Sequence, residues 1–229
     1  MSVGIIVALP EELATLTPVK LAQGECLSLN QNLIICYAGA GPINAGLAAE
    51  TLVKKGAGRL ISWGCAAALS AQLKPGDLVL TDQVISATDN ISSESDWIEE
   101  VAAQLTKPLS ICKQAITSSQ TIIAASSEKQ QLHQQTAAAA LDMESLTIAK
   151  TAKRHDLPFL VIRAIADPAS MTLPQAVVES LNQQGRVELP KLLKFLLSHP
   201  WEIPALIKLG IHFNAAQKTL RAVARQLDL

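Results

Sequence analysis

The chain has 229 residues, 49% apolar and 17% charged, which is too hydrophobic and too weakly charged for a disordered chain. Its net charge of -1 provides no field to hold a nucleic-acid backbone, and seven aromatic residues are too few for a base-stacking platform. At about 150 residues per domain, the length fits one large domain or two small ones. Cys26, Cys36, Cys65 and Cys112 are too few and too irregularly spaced for a disulfide framework, and no C-x-x-C pair suggests zinc. The expectation is a reduced, cytoplasmic, globular protein without metal or cofactor. The N-terminal apolar run lacks the basic flank and A-x-A site of a signal peptide. No run of about 18 apolar residues is present to span a bilayer.

Residues 3–9 form a continuous apolar run, as in a strand buried on both faces, and Leu33–Tyr37 form another. A turn at Gly39–Pro42 precedes a helix predicted from Ile43 to Lys55, stopped by Gly56. Strands are predicted at 59–62 and 77–85, with Lys74-Pro-Gly76 as the turn between them. The polar segment 86–96 reads as a loop, Trp97–Leu105 as a helix and Thr121–Ala124 as a strand. Helices are predicted from about Glu128 and from Met143 to His155. Phe159–Ile165 is the strongest buried strand. Strands alternating with helices in this way indicate a largely parallel sheet covered on both faces.

The end of the chain differs. From Leu189 onward the charge is +4, against -5 for the remainder. Pro190, Pro200 and Pro204 divide it into pieces. Leu206, Leu209, Phe213, Ala216, Leu220, Val223 and Leu227 then repeat at alternating spacings of three and four, one narrow apolar stripe on a long helix. Residues 1–188 are therefore read as one domain and 189–229 as a C-terminal helical extension.

In parallel α/β sheets, ligands bind beyond the carboxyl ends of the strands. Four polar segments follow apolar runs: Pro10-Glu11-Glu12, Gly64-Cys65-Ala66-Ala67, Leu141-Asp142-Met143-Glu144 and Ala166-Asp167-Pro168. Each carboxylate also has a purely structural reading. Glu11 and Glu12 suit a helix dipole, Asp142 suits a helix N-cap, and Asp167 before proline suits a turn. Gly39-x-Gly41 lacks the third glycine of a dinucleotide fingerprint, and no P-loop is present.

Taken together, the segments are more specific. Gly4-Ile-Ile-Val-Ala-Leu-Pro-Glu-Glu12, Ala38-Gly-Ala-Gly-Pro-Ile-Asn-Ala45, Trp63-Gly-Cys-Ala-Ala-Ala68, Leu73-Lys-Pro-Gly-Asp-Leu-Val79, Leu141-Asp-Met-Glu144 and Val161-Ile-Arg-Ala-Ile-Ala-Asp167 occur in that order. In this series the chain resembles the nucleoside phosphorylase/nucleosidase superfamily, in particular the methylthioadenosine/S-adenosylhomocysteine nucleosidases. Its ending, with His199-Pro-Trp-Glu-Ile-Pro204 and the long helix, is similar to that of the hopanoid-associated phosphorylases, a subgroup linked to removal of adenine from adenosylhopane.

The resemblance implies a three-layer α/β/α fold with a mixed, largely parallel sheet, and cleavage of the N-glycosidic bond of a purine nucleoside. It implies Asp167 as the general acid that protonates purine N7 and Glu12 as the base that activates water. Glu144 would accept the 2′-hydroxyl, with Met143 as an apolar wall beside the sugar. Cys65 and Ala66 would line the ribose site, and Ile122 and Ile123 the base. Five positions depart from the family pattern: Cys65 and Ala166 stand where serines are usual, Ala67 and Ala68 where glycines are usual, and Ile122 where an aromatic is usual. Phosphorylases of this fold hold phosphate with arginines near the first turn and in the third strand. Here no arginine precedes Arg59, which favours hydrolysis over phosphorolysis. The substrate implied is an adenine nucleoside with an apolar 5′ substituent, adenosylhopane first. A phosphate-dependent phosphorylase, a methylthioadenosine/S-adenosylhomocysteine nucleosidase and, more distantly, a non-catalytic nucleoside-binding protein stand as alternatives. A homodimer is expected, with a small nucleoside as substrate and no nucleic-acid partner. For the tail two readings stand: packing on the body or a second subunit, or peripheral contact with the inner face of the cell membrane.

Overall fold

A computed structural model describes residues 2–93, 96–106, 109–182 and 187–229. The strands are β1 (Ser2–Val7), β2 (Cys26–Asn30), β3 (Leu33–Tyr37), β4 (Ala57–Ala68), β5 (Leu78–Thr81), β6 (Gln83–Ile85), β7 (Asn90–Ser92), β8 (Ile111–Cys112), β9 (Ile116–Ser118), β10 (Ala140–Asp142) and β11 (Phe159–Asp167). The helices are α1 (Pro10–Leu13), α2 (Pro42–Lys54), α3 (Trp97–Gln104), α4 (Ser126–Thr136), α5 (Ser145–Arg154), α6 (Gln175–Val178), α7 (Leu189–Ser198) and α8 (Ile203–Gln226).

All the strands join one mixed sheet in the order β2-β3-β1-β4-β10-β9-β6-β7, with β11 on β4, β5 on β11 and β8 on β5. Strand β4 is its axis. Its first half runs parallel between β1 and β11, and its last residues pair antiparallel with β10. Side chains alternate between two cores, as the two-residue period of a strand requires. Ile6, Leu60 and Val161 meet Ala45, Ala49 and Leu52 of α2 and Ile148 and Ala152 of α5. Ile5, Ile61 and Ile162 meet Trp97 and Val101 of α3 and Leu220 and Val223 of α8. The architecture is thus the three-layer α/β/α arrangement expected, and burial on both faces explains the unbroken apolar runs.

Several local expectations are corrected. The strand predicted at 77–85 is divided at Asp82 into β5 and β6, which take different neighbours. Residues 121–124 are not a strand; the strand of this region is β9, five residues earlier. The polar segment 86–96 contains β7, and its residues 94 and 95 lie outside the described residues. Helix α5 begins at Ser145 rather than Met143, because the Asp142 carboxylate accepts the Ser145 N–H at 3.1 Å and fixes the first turn there. Helix α2 stops where expected, at Gly56, whose φ of 88° suits a residue without a Cβ.

The stripe on α8 is half-buried at Leu206 and Leu209 and lies deepest in its second half. Ala216, Leu220 and Val223 are fully buried against the sheet, and Phe213 and Leu227 pack at the edge of that core. Full burial of Leu220 and Val223 contributes about 1.5–3 kcal/mol each, enough to fix this half of the helix on the body. Thr219 adds a hydrogen bond from its hydroxyl to the Gly76 carbonyl at 2.6 Å. The first half of α8 leaves Ile203, Ile207 and Ile211 exposed, as α7 leaves Leu189, Leu193 and Leu197. Among the described residues no helix is long and apolar enough to cross a membrane.

Candidate active site

The strand register brings the candidate segments together. Val7 pairs with Trp63, Arg163 with Gly64, and Leu141 with Ala67 across the antiparallel step. The turn after β1, the middle of β4 and the turn after β10 therefore meet near Gly64. Asp167 pairs with Ala67, three residues further along β4, or about 10 Å at the rise of an extended strand.

Glu12 is buried and held from three sides. One carboxylate oxygen, Oε2, accepts the Ala8 and Leu9 N–H groups at 3.0 Å each, and Oε1 accepts the Cys65 N–H at 2.8 Å. A carboxylate has about four acceptor positions, so one on Oε1 is left for a further donor. Burial pushes the Glu12 carboxyl above its usual range, while Arg163 and the three amides pull it back. Gly64 is required here. A Cβ on it would overlap the Glu12 carboxylate, and its φ of 151° is strained for any other residue.

Sequence reasoning quoted Arg163 within a motif but gave it no task. It is fully buried in the middle of β11, and its guanidinium lies 2.9 Å from Asp142, 3.2 Å from Glu144 and 3.8 Å from Glu12. It also donates to the Ser62 hydroxyl at 2.9 Å and the Cys65 carbonyl at 3.2 Å. A lone arginine inside an apolar strand was itself the signal, since a buried charge has to be paired. Asp142 serves structure: besides accepting the Ser145 N–H at the start of α5 and pairing with Arg163, it accepts the Ser118 hydroxyl at 2.5 Å.

Glu144 accepts the Gly41 N–H at 2.9 Å on one oxygen and Arg163 on the other. Burial, with the negative charges of Asp142 and Glu12 beside it, raises its carboxyl to about 7, against the pull of Arg163 and Gly41. Gly41 and Met143 lead from Glu144 into an open cleft of about 860 Å³, with Pro42, Ile43 and Ile122 among its lining residues. That volume lies within the range of small-molecule sites. Ile123 turns away, packing against the small cluster of Leu69, Ala138 and Leu141. The Cys65 side chain packs against the α8-side core, where burial pushes its thiol well above the usual range. Ala66 faces the opposite core. These two positions touch the carboxylate cluster through the backbone of residue 65.

Asp167 ends β11 and is buried. Its Oδ2 lies 2.6 Å from Lys129 Nζ, on α4. Its Oδ1 is buried and has no hydrogen-bond partner among the described residues. Burial raises the carboxyl above its usual range, and the Lys129 ammonium opposes the rise. Lys129 was missed by sequence reasoning, because a single lysine in the polar run Ser126–Thr136 carries no local mark of burial.

Buried carboxylates thus follow three strands of the mixed sheet: Glu12 after β1, Glu144 after β10 and Asp167 at the end of β11. The sequence profile of the phosphorylase superfamily matches residues 2–198. The chain belongs to the phosphorylase superfamily. As a superfamily enzyme it is similar to the 5′-methylthioadenosine/S-adenosylhomocysteine nucleosidase of Staphylococcus aureus, at 28% identity over 199 residues, covering 73% of this chain and 87% of the relative. The nucleosidase of the same name from Neisseria meningitidis, in complex with methylthio-immucillin-A, superposes with a TM-score of 0.72 at 19% identity, covering 99% of this chain and 98% of that one. Futalosine hydrolase of Helicobacter pylori superposes with a TM-score of 0.69 at 17% identity, covering 99% and 95%. These two likenesses show that the superfamily fold extends through α8.

Proposed function

We propose that this enzyme cleaves the N-glycosidic bond of an adenine nucleoside by hydrolysis. The observation that carries the reading is the placement of Glu12 and Glu144 around Gly64, with Asp167 about three residues along the same strand. In this reading Asp167 protonates N7, so that the base leaves neutral. Positive charge developing on the ribose is met by the cluster of Glu12 and Glu144. Glu144 accepts the 2′-hydroxyl beside Met143, and Glu12 offers the open position on Oε1 to the attacking water. Ile122 borders the base, with Ile123 behind it. Cys65 and Ala66 shape the ribose end. The likeness to nucleosidases and a hydrolase supports the same reaction class.

Water is favoured over phosphate by the charge balance. Arg163 is the cation in the cluster, and three carboxylates already surround it. Among the described residues, a phosphate dianion would enter a net negative cluster whose guanidinium, Arg163, is already paired with carboxylates.

The cleft beside Glu144 supports an apolar 5′ substituent, through Pro42, Ile43, Ile122 and Met143. Adenosylhopane, the substrate linked to the subgroup with a similar C-terminal segment, is the finer proposal. Peripheral contact with a membrane belongs to it, with the protein at the inner face of the cell membrane. Two exposed ridges at i, i+4, i+8 support that contact: Leu189, Leu193 and Leu197 on α7, and Ile203, Ile207 and Ile211 on α8, with Trp201 between them and Lys191, Lys194 and Lys208 on the same helices. The exposed Ile43 and Leu47 on α2 support a homodimer.

The test is adenine release from adenosine, methylthioadenosine and a long-chain 5′-alkyl adenosine, by the parent and by Asp167→Asn. The long-chain substrate should give the highest kcat/KM, and the variant should lose about 10²–10⁴-fold. Release unchanged in Asp167→Asn overturns the assignment. Flotation with anionic vesicles tests the membrane contact. Binding should weaken with salt and vanish in Leu193→Asp/Trp201→Asp/Ile207→Asp, whereas a parent that never floats excludes it.

A further inference from the structure

We propose that Lys129 is the positioning residue of Asp167: it holds Oδ2 so that Oδ1 alone faces the base, and it stabilises the carboxylate left when Oδ1 gives up its proton. The inference rests on Asp167 as the general acid. Lys129 is fully buried and its Nζ has three acceptors, Asp167 Oδ2 at 2.6 Å, the Met171 carbonyl at 2.8 Å and the Pro168 carbonyl at 3.3 Å. An ammonium has three donors, so all of them are used and the group is fixed in place. The same residue ties the end of β11 to the turn that follows it. The other carboxylate oxygen, Oδ1, is buried with no partner among the described residues. A buried oxygen without a partner is costly unless a ligand supplies one.

The step balances without another reagent. The Oδ1–H bond breaks and an N7–H bond forms, while the glycosidic electron pair moves into the purine. The sugar takes water, whose proton passes to Glu12 and from there to solvent, and solvent restores the proton to Asp167.

The other charged groups on the elements around Asp167 are engaged elsewhere. Arg163 of β11 faces Glu12, Asp142 and Glu144. Glu128 of α4 accepts the Ala125 N–H, and His133 Nδ1 lies on the Ala138 carbonyl. Among the described residues, the charge of Lys129 is therefore the one that opposes the effect of burial on Asp167.

The experiment is the pH profile of kcat/KM for adenine release by the parent, Lys129→Gln, Lys129→Arg and Asp167→Asn. A general acid works while protonated, so activity falls as pH rises through its titration. Removing a cation at contact distance should move that basic limb upward by about 1–3 pH units in Lys129→Gln. Lys129→Arg, which keeps the charge, should hold it near the parent position. Glutamine can still donate to the Met171 carbonyl, so the fold is expected to survive, and circular dichroism checks this. A folded Lys129→Gln with the basic limb of the parent overturns the inference, as does Lys129→Arg showing the same displaced limb as Lys129→Gln. If Asp167→Asn keeps parental activity, the reading of Asp167 fails first. If it loses activity while the limb stays put in Lys129→Gln, only the role of Lys129 fails.

Discussion

The Arg163 guanidinium lies 3.2 Å from the Glu144 carboxylate, although one comes from the middle of a buried strand and the other from the turn after β10. The contact joins the two halves of the site, since Arg163 also reaches Glu12 and Asp142. Removing the cation would leave three buried carboxylates facing one another. Arg163→Met should therefore lower stability by about 3–5 kcal/mol in urea unfolding, the range for breaking one side of a buried pair. A loss below about 1 kcal/mol, the range of an exposed pair, would contradict the buried network.

Glu144 carries a pH signature. Its carboxyl is raised to about 7 in the fold, so folding favours its protonated form. That contribution is fully present below the unfolded carboxyl range and is lost as pH rises toward about 7. The parent should accordingly lose stability between about pH 4.3 and 7, and Glu144→Gln should lose less over the same window. Denaturant midpoints across that window measure both. Parallel pH slopes in the two proteins would contradict the assignment.

The same variant tests the ribose contact. A 2′-deoxy substrate already lacks the hydroxyl that Glu144 accepts. The parent should therefore discriminate strongly against it in kcat/KM, and Glu144→Gln should discriminate much less. Equal discrimination by both proteins would place the 2′-hydroxyl elsewhere.

Gly64→Ala separates the site from the scaffold. The added Cβ overlaps the Glu12 carboxylate, at a position where Glu12 must move for the chain to fit. Adenine release should fall at least as far as in Glu12→Gln, about 10²–10⁴-fold, with the far-ultraviolet dichroism of the parent retained. Parental turnover would show that the location of Glu12 does not matter to the reaction.

Much of the layer structure was legible because it follows from burial on two faces. The runs at β1, β3 and β11 are apolar at every position that meets a helix layer, with Arg163 the exception that marks the site. The small residues of β4 hid its length: Gly64-Cys65-Ala66-Ala67-Ala68 has little β preference of its own and is extended through pairing with β10 and β11. Thr121-Ile122-Ile123 misled in the opposite way. Its β-branched side chains serve a cleft wall and a small satellite core, not a ladder. Glu12, Glu144 and Asp167 were legible by position after strands. Lys129 was not, since only the tertiary approach of α4 to the end of β11 buries it.

The central claim is hydrolysis of an adenine nucleoside, and its most direct measurement is product analysis in water labelled with heavy oxygen. The protein is incubated with methylthioadenosine, with and without phosphate. Free adenine is expected at the same rate in both, with a free sugar carrying one labelled oxygen at the anomeric carbon. Adenine that appears only with phosphate, together with a sugar 1-phosphate, would contradict hydrolysis.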